Sequence, residues 1–357
     1  ICDIDKKKVK KLANKYNCNF YFDFKQLIEK EKLDAISIAT PESIRSEPAI
    51  LASKKNLKIL LEKPLGTNIK DIEKLVNNLK NYKNLISVNF ILHEDLRYKL
   101  MKEKIRKNEI GKIVSCYARR RGNRHGIEKY ASWTDLLSST LIHDIQMVLE
   151  INKSKPIRVF AEAVVRECKK FNSHDAVMAL IKFNDGSIAS FETSWVLPKN
   201  QPEPLDPSLH VVGDKGSIII ESSSQGMQIQ TENEYLKPDL THWPVIDGKV
   251  DGSLKKNLDK FISDCIEKNI PDVNILKAYI AEKVIFAMKE SIKKNKPIKI
   301  VWIDINNEIN INNLANIRYE NLIFYINLSF STFLNIRKPI INKIKSDDIP
   351  NFGEEKI

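Results

Sequence analysis

Over residues 1–90, short apolar runs alternate with stretches of helical period, and this rhythm restricts the fold more than any other feature of the chain. Apolar runs stand at 1–3, 19–22, 35–39, 59–61 and 86–90, and between them 6–16, 24–31, 44–54 and 69–80 repeat apolar residues every three or four positions. Short continuous apolar runs suit strands buried on both faces, and spacing of three and four suits helices with one buried stripe. The alternation predicts an α/β fold with a doubly wound parallel sheet. From about residue 91 the rhythm changes. A helix over 95–107 leads to a strand over 112–120, and a helix over 133–151 precedes strands at 156–166, 175–183, 188–195, 209–212, 217–222 and 227–230. Strands in succession predict an open, mostly antiparallel sheet. The proline-rich stretch 197–207 reads as a surface loop. Helices over 254–268 and 274–294 and a strand over 297–301 close this part. The expected division is 1–90, an α+β unit over 91–301, and an Asn- and Ile-rich extension over 302–357 to which the sequence assigns no role.

The 357 residues suffice for two domains, and 42% hydrophobic with 29% charged residues describes a soluble globular chain. No apolar run reaches the roughly 18–20 residues of a membrane span. Five scattered cysteines without a Cys-x-x-Cys pair argue for reduced thiols in a cytoplasm and against a metal site. The net charge of +12 comes from lysines spread along almost every helix, which reads as solvated helix faces rather than a nucleic-acid footprint. One basic cluster stands apart, Arg119-Arg120-Arg121-Gly122-Asn123-Arg124-His125.

Glu62-Lys63-Pro64 ends the apolar run Ile59 to Leu61. Proline cannot donate to a ladder and pushes the preceding residue toward extended geometry, so the strand stops there. Lys63 is thereby presented at the carboxyl end of a strand, where open α/β sheets bind ligands. Asn68 and Asp71 have the spacing of a helix cap just beyond.

Further motifs keep one order. Thr40-Pro41 follows a strand; Glu109-Ile110-Gly111-Lys112 opens the second part; His143-Asp144-Ile145 lies on a helix; Asn184-Asp185-Gly186 and Gly213-Asp214-Lys215-Gly216 mark turns. Together with Glu62-Lys63-Pro64 they resemble the Gfo/Idh/MocA family of oxidoreductases over about residues 1–301. The resemblance implies a Rossmann domain, a second domain with an open antiparallel sheet, and hydride transfer between NAD or NADP and a hydroxyl or carbonyl carbon of a sugar, cyclitol or nucleotide sugar. It implies that Lys63 contacts the reacting hydroxyl and that His143 is the catalytic histidine. It also implies that Thr40, Pro41, Glu62 and Lys63 line the cofactor. Asp3 falls where an acid bonds ribose hydroxyls, which favours NAD over NADP. A homo-oligomer is expected through the broad sheet. The residue types suit the chemistry. A neutral imidazole, with an ordinary pKa of about 6.5, accepts a hydroxyl proton near pH 7. A lysine ammonium stabilises developing alkoxide.

Several positions depart from the family pattern. The sequence opens inside the expected second strand, with no glycine-rich turn for a pyrophosphate. Ser139 stands where an Asp often precedes the histidine by one turn, and Gln146 replaces another Asp. Arg45 replaces a His; it either approaches cofactor phosphate or is a solvated helix-terminal residue. Arg119 and Arg121 either bind an anionic substrate or lie on a solvated sheet edge. The departures leave open a non-catalytic, sugar- or dinucleotide-sensing relative of the same fold, or an inactive fragment.

Overall fold

The computed structural model describes residues 1–302 apart from 172 and 204. The extension expected from 302 onward therefore lies outside the described residues, save Trp302, whose indole N–H donates to the Pro156 carbonyl at 2.9 Å.

Nine helices and nine main strands frame the site among the described residues. The helices are α1 Lys6–Tyr16, α2 Phe24–Lys30, α3 Ser46–Lys54, α4 Ile69–Leu79, α5 Leu96–Arg106, α6 His125–Tyr130, α7 Ile142–Asn152, α8 Gly252–Glu267 and α9 Ile275–Lys294. The strands are β1 Ala35–Ile38, β2 Lys58–Leu61, β3 Ile86–Val88, β4 Ile113–Asn123, β5 Pro156–Val164, β6 Ala176–Phe183, β7 Ile188–Leu197, β8 Leu205–Gly213 and β9 Ser217–Glu221.

Local chemistry starts the helices. Asp5, Asp23, Asn68, Asp95 and Asn274 each accept backbone N–H groups of the first turn, satisfying donors that an α-helix leaves orphaned. Strands β1, β2 and β3 form a parallel sheet in that order, with Ile59, Leu61 and Ile86 fully buried. The expected strands at 1–3 and 19–22 reduce to one parallel bridge, Cys2 to Tyr21, outside that sheet. Among the described residues β1 pairs on one side only, with β2.

The second sheet runs Ile298–Lys299, β5, β6, β7, β4, β8, β9. Every neighbouring pair is antiparallel except β4 with β7. The 197–207 stretch is not all loop: β8 begins at Leu205, because Asp206 and Pro207 pair with Arg121 and Arg120 of β4. Two glycine motifs meet at one corner. Asp214 accepts the Lys112 N–H at 3.0 Å, and Gly213 packs so close to the Ile110 carbonyl that a Cβ would lie 2.0 Å from its oxygen.

One hydrophobic core runs through both sheets, and α9 belongs to both halves. Its Ala281 and Ile285 are fully buried, and just before it the Val273 carbonyl accepts the N–H of Val88 in β3 at 2.8 Å.

Candidate active site

The β2 strand ends as its sequence requires, and the Lys63–Pro64 peptide that follows is cis. Lys63 Nζ donates to the Ser139 carbonyl at 2.7 Å, across 76 residues of chain. That carbonyl belongs to Leu137–Leu141, a π-turn leading into α7. A π-turn shifts backbone bonding by one residue and is common at functional positions. The amine therefore sits one turn ahead of His143 on the same helical segment.

His143 Nδ1 is buried without a hydrogen-bond partner among the described residues, and the Phe90 ring meets the imidazole edge-on at 5.7 Å. Burial pushes the His143 pKa well below its ordinary value, and the charges of Lys63, Arg120 and His242 push it the same way. The imidazole is neutral at pH 7. Burial also lowers the Lys63 pKa, against the pull of Glu62 and Glu42.

Ser139 does not orient the ring through its hydroxyl. The π-turn breaks the regular one-turn spacing, and Ser139 Oγ lies 3.1 Å from Thr140 Oγ1, which takes the Trp195 indole N–H at 3.2 Å. What Ser139 offers the site is its backbone oxygen. Asp135 caps the segment instead, accepting the Leu137 and Ser138 N–H groups at 3.0 Å and pairing with Lys289 of α9 at 2.7 Å.

The basic cluster divides by strand alternation. Arg119 and Arg121 point to the open face of the second sheet, away from α7, and are neutralised there. Arg119 pairs with Asp206 at 2.8 Å, and Arg121 pairs with Asp206 and Glu192. A substrate anion would have to compete with these carboxylates for either guanidinium. The arginine on the site side is Arg120, 3% exposed, which shares its face with buried Cys116 and Ala118. It holds Asp144 bidentately at 2.7 and 2.9 Å. Burial opposes the charge on Arg120, but Asp144 outweighs it and holds the guanidinium protonated. Arg120 Nη1 also lies 3.5 Å from His242 Nε2, and His242 Nδ1 lies 3.1 Å from Asp239. Arg120 was legible in the in–out pattern of β4. His242, some hundred residues away on an irregular segment, carries no local signal.

Arg45 is buried rather than a solvated helix-terminal residue, and its Nε has no hydrogen-bond partner among the described residues. It is 4% exposed and donates to the Thr40 carbonyl at 2.6 Å and to the Pro64 carbonyl. It fastens the turn after β1 to the turn after β2. Glu62 accepts from Asn89, which in turn takes the Asn257 amide at 2.6 Å. Asp3 accepts the Asp5 N–H at 2.9 Å and lies 3.6 Å from Lys8 Nζ.

The cofactor side holds an orphaned polar atom. Thr40 Oγ1, just beyond the end of β1, is buried without a hydrogen-bond partner among the described residues. Buried hydroxyls normally have one. An unspent hydroxyl at the carboxyl edge of a parallel sheet fits a bound dinucleotide.

The comparisons agree. The family model described as "Oxidoreductase family, NAD-binding Rossmann fold" matches residues 1–90, and "GFO/IDH/MocA C-terminal domain" matches 98–219. The myo-inositol 2-dehydrogenase of Thermotoga maritima is 21% identical over 305 residues, covering 84% of this chain and 90% of the relative. The 2,7-anhydro-N-acetylneuraminate hydratase of Escherichia coli is 23% identical over 229 residues, covering 62% and 60%. Among solved structures, a myo-inositol 2-dehydrogenase from Lactobacillus plantarum superposes with a TM-score of 0.73 at 21% identity, covering 84% and 90%. A scyllo-inositol dehydrogenase from Lactobacillus casei, solved with NAD(H) and scyllo-inositol, gives 0.70 at 16%, covering 84% and 90%. The sheet order, the motif order and these matches make one statement: the chain belongs to the Gfo/Idh/MocA oxidoreductases and carries that family's NAD-binding Rossmann domain.

Proposed function

We propose that this enzyme oxidises a secondary hydroxyl of a polyol or sugar, or reduces the matching carbonyl, with Lys63 and His143 as the reacting pair. The observation that carries this is the 2.7 Å bond from Lys63 Nζ to the carbonyl one turn before His143. NAD, when bound, would supply the hydride acceptor or donor. The residues do the rest. Neutral His143 takes the hydroxyl proton, and its depressed pKa keeps it a free base well into acid. The Lys63 ammonium steadies the alkoxide oxygen. Thr40, Pro41 and Glu62 line the cofactor edge, with Asp3 toward the ribose. Names of relatives, inositol dehydrogenases above all, support a polyol substrate. They do not favour the sensing alternative.

Assay of NADH at 340 nm with myo-inositol, scyllo-inositol and 2,7-anhydro-N-acetylneuraminate as probes tests the reading. His143→Ala is expected to lose about 10²–10⁴-fold in kcat, and Lys63→Ala to lose a comparable factor. Wild-type turnover in both variants ends the proposal.

The open face of the second sheet supports a homo-oligomer, since Met178 and Ile219 are 63% and 61% exposed there. Light scattering of Met178→Lys is expected to show a smaller assembly than wild type. The free thiols of all five cysteines fit a cytoplasmic setting.

A further inference from the structure

A buried carboxylate stands directly behind the Lys63 turn, on an element that the motifs do not include. Glu282 of α9 is 1% exposed, and its Oε1 accepts the Leu65 N–H at 2.8 Å across 217 residues of chain. Its Oε2 is buried with no hydrogen-bond partner among the described residues. A carboxylate placed only to cap one N–H is a poor structural choice, since a neutral amide would serve without burying charge.

The surroundings supply a second reason. The turn Lys63-Pro64-Leu65 is gripped from two sides, with Arg45 on the Pro64 carbonyl and Glu282 on the Leu65 N–H. Glu282 is among the negative charges that favour the Lys63 ammonium, with Glu62 and Glu42, while Arg45 opposes it. We infer that Glu282 is a positioning residue for Lys63: its carboxylate anchors the turn that carries the amine and adds a buried negative charge behind it to those of Glu62 and Glu42. This rests on the reading of Lys63 given above.

Other charged groups bear on Glu282 from each packed element. Glu42 comes from the short turn after Pro41, Asp135 from the segment before the π-turn, and Lys289 from α9 itself, two turns on. Farther along α9 the pairs close among themselves. Tyr279 bonds Glu73 of α4, and Lys277 bonds Glu150 of α7. Burial raises the Glu282 carboxyl to about 7, so its charge is present above neutrality and fades below it.

Competitive acetylation of the full chain with trace acetic anhydride, read at Lys63 by peptide mass spectrometry across pH 5–10, tests this without any substrate. Only the unprotonated amine reacts. In Glu282→Gln the Leu65 N–H keeps an acceptor while the charge is gone. Lys63 is expected to react several-fold faster than in wild type at pH 8, with its titration curve moved to lower pH. The wild-type curve is expected to depart from a single-site shape near pH 7, where the Glu282 charge changes. An unmoved Lys63 curve in Glu282→Gln overturns the inference, whatever happens to melting temperature. Should that variant not fold, a simple single-site curve in wild type overturns it equally. The turnover of Lys63→Ala judges the catalytic reading separately, because the labelling result does not depend on it.

Discussion

Replacing Asp144 by Asn isolates the buried ion pair between α7 and β4. Arg120 and Asp144 are 3% and 1% exposed and joined by two short bonds, at 2.7 and 2.9 Å. Asparagine keeps the shape and one acceptor oxygen but leaves the guanidinium buried without its counter-charge. The remaining neighbours are neutral or poorly placed for a full positive charge: the Tyr98 hydroxyl, and His242 at 3.5 Å. Breaking a buried pair from one side costs about 3–5 kcal/mol. At about 2.1 cal/mol/K per residue over roughly 300 ordered residues, the unfolding entropy is about 0.6 kcal/mol/K, so the melting temperature falls by about 5–8 °C. Replacing both partners with apolar residues, Arg120→Met with Asp144→Leu, removes the orphaned charge and is expected to recover most of that loss. Differential scanning fluorimetry measures all three proteins. A single variant within about 1 °C of wild type, or a double variant worse than the single, refutes the reasoning.

Acid should destabilise the protein through His93. The imidazole is 2% exposed, bonded to Gln146 at 2.8 Å, and pushed down to about 3 by burial and Lys102. The unfolded chain takes up this proton near pH 6.5 and the folded chain does not, so stability held above pH 6.5 is lost as pH falls below it. By pH 5 the loss is about 2 kcal/mol. Glu282 works in the opposite direction, so urea midpoints of wild type and His93→Gln should be compared at pH 7 and 5. Equal pH slopes contradict the assignment. Glycine substitutions should separate by what the new Cβ meets. Gly213→Ala drives it against the Ile110 backbone oxygen and costs about 1–3 kcal/mol. Gly186→Ala, at φ +92 with nothing within 4 Å, costs only the backbone strain of about 1 kcal/mol. The reverse order in urea midpoints contradicts the geometry. Finally, Arg119→Ala should leave the KM for any accepted polyol unchanged, because that guanidinium is spent on Asp206 on the open sheet face. A rise in KM reinstates it as a substrate contact.

Much of the scaffold was written locally. An Asp or Asn before an amphipathic run sets the start of α1, α2, α4, α5 and α9, since a capping bond spans two or three residues. Short apolar runs alternating with helical spacing gave the parallel layer, and strands in succession gave the antiparallel sheet. Glu62-Lys63-Pro64 gave a strand end with an amine on it. The terminal strands at 1–3 and 19–22 were overread, because short apolar runs become strands only when a neighbour supplies the ladder. The side of the sheet that Arg119 and Arg121 take could not be read from the composition of the basic cluster, because the one-residue alternation of β4 decides it.

Residue types and their spacing determined that this chain makes a Rossmann layer followed by an open sheet, with a lysine and a histidine offered at helix and strand ends. Only the tertiary structure decided what surrounds them. The π-turn gave Lys63 the Ser139 carbonyl, Asp144 took Arg120, and α9 brought Glu282 behind the lysine from 217 positions away. Such charges act through desolvation and proximity in space, and neither is encoded in any short stretch of chain.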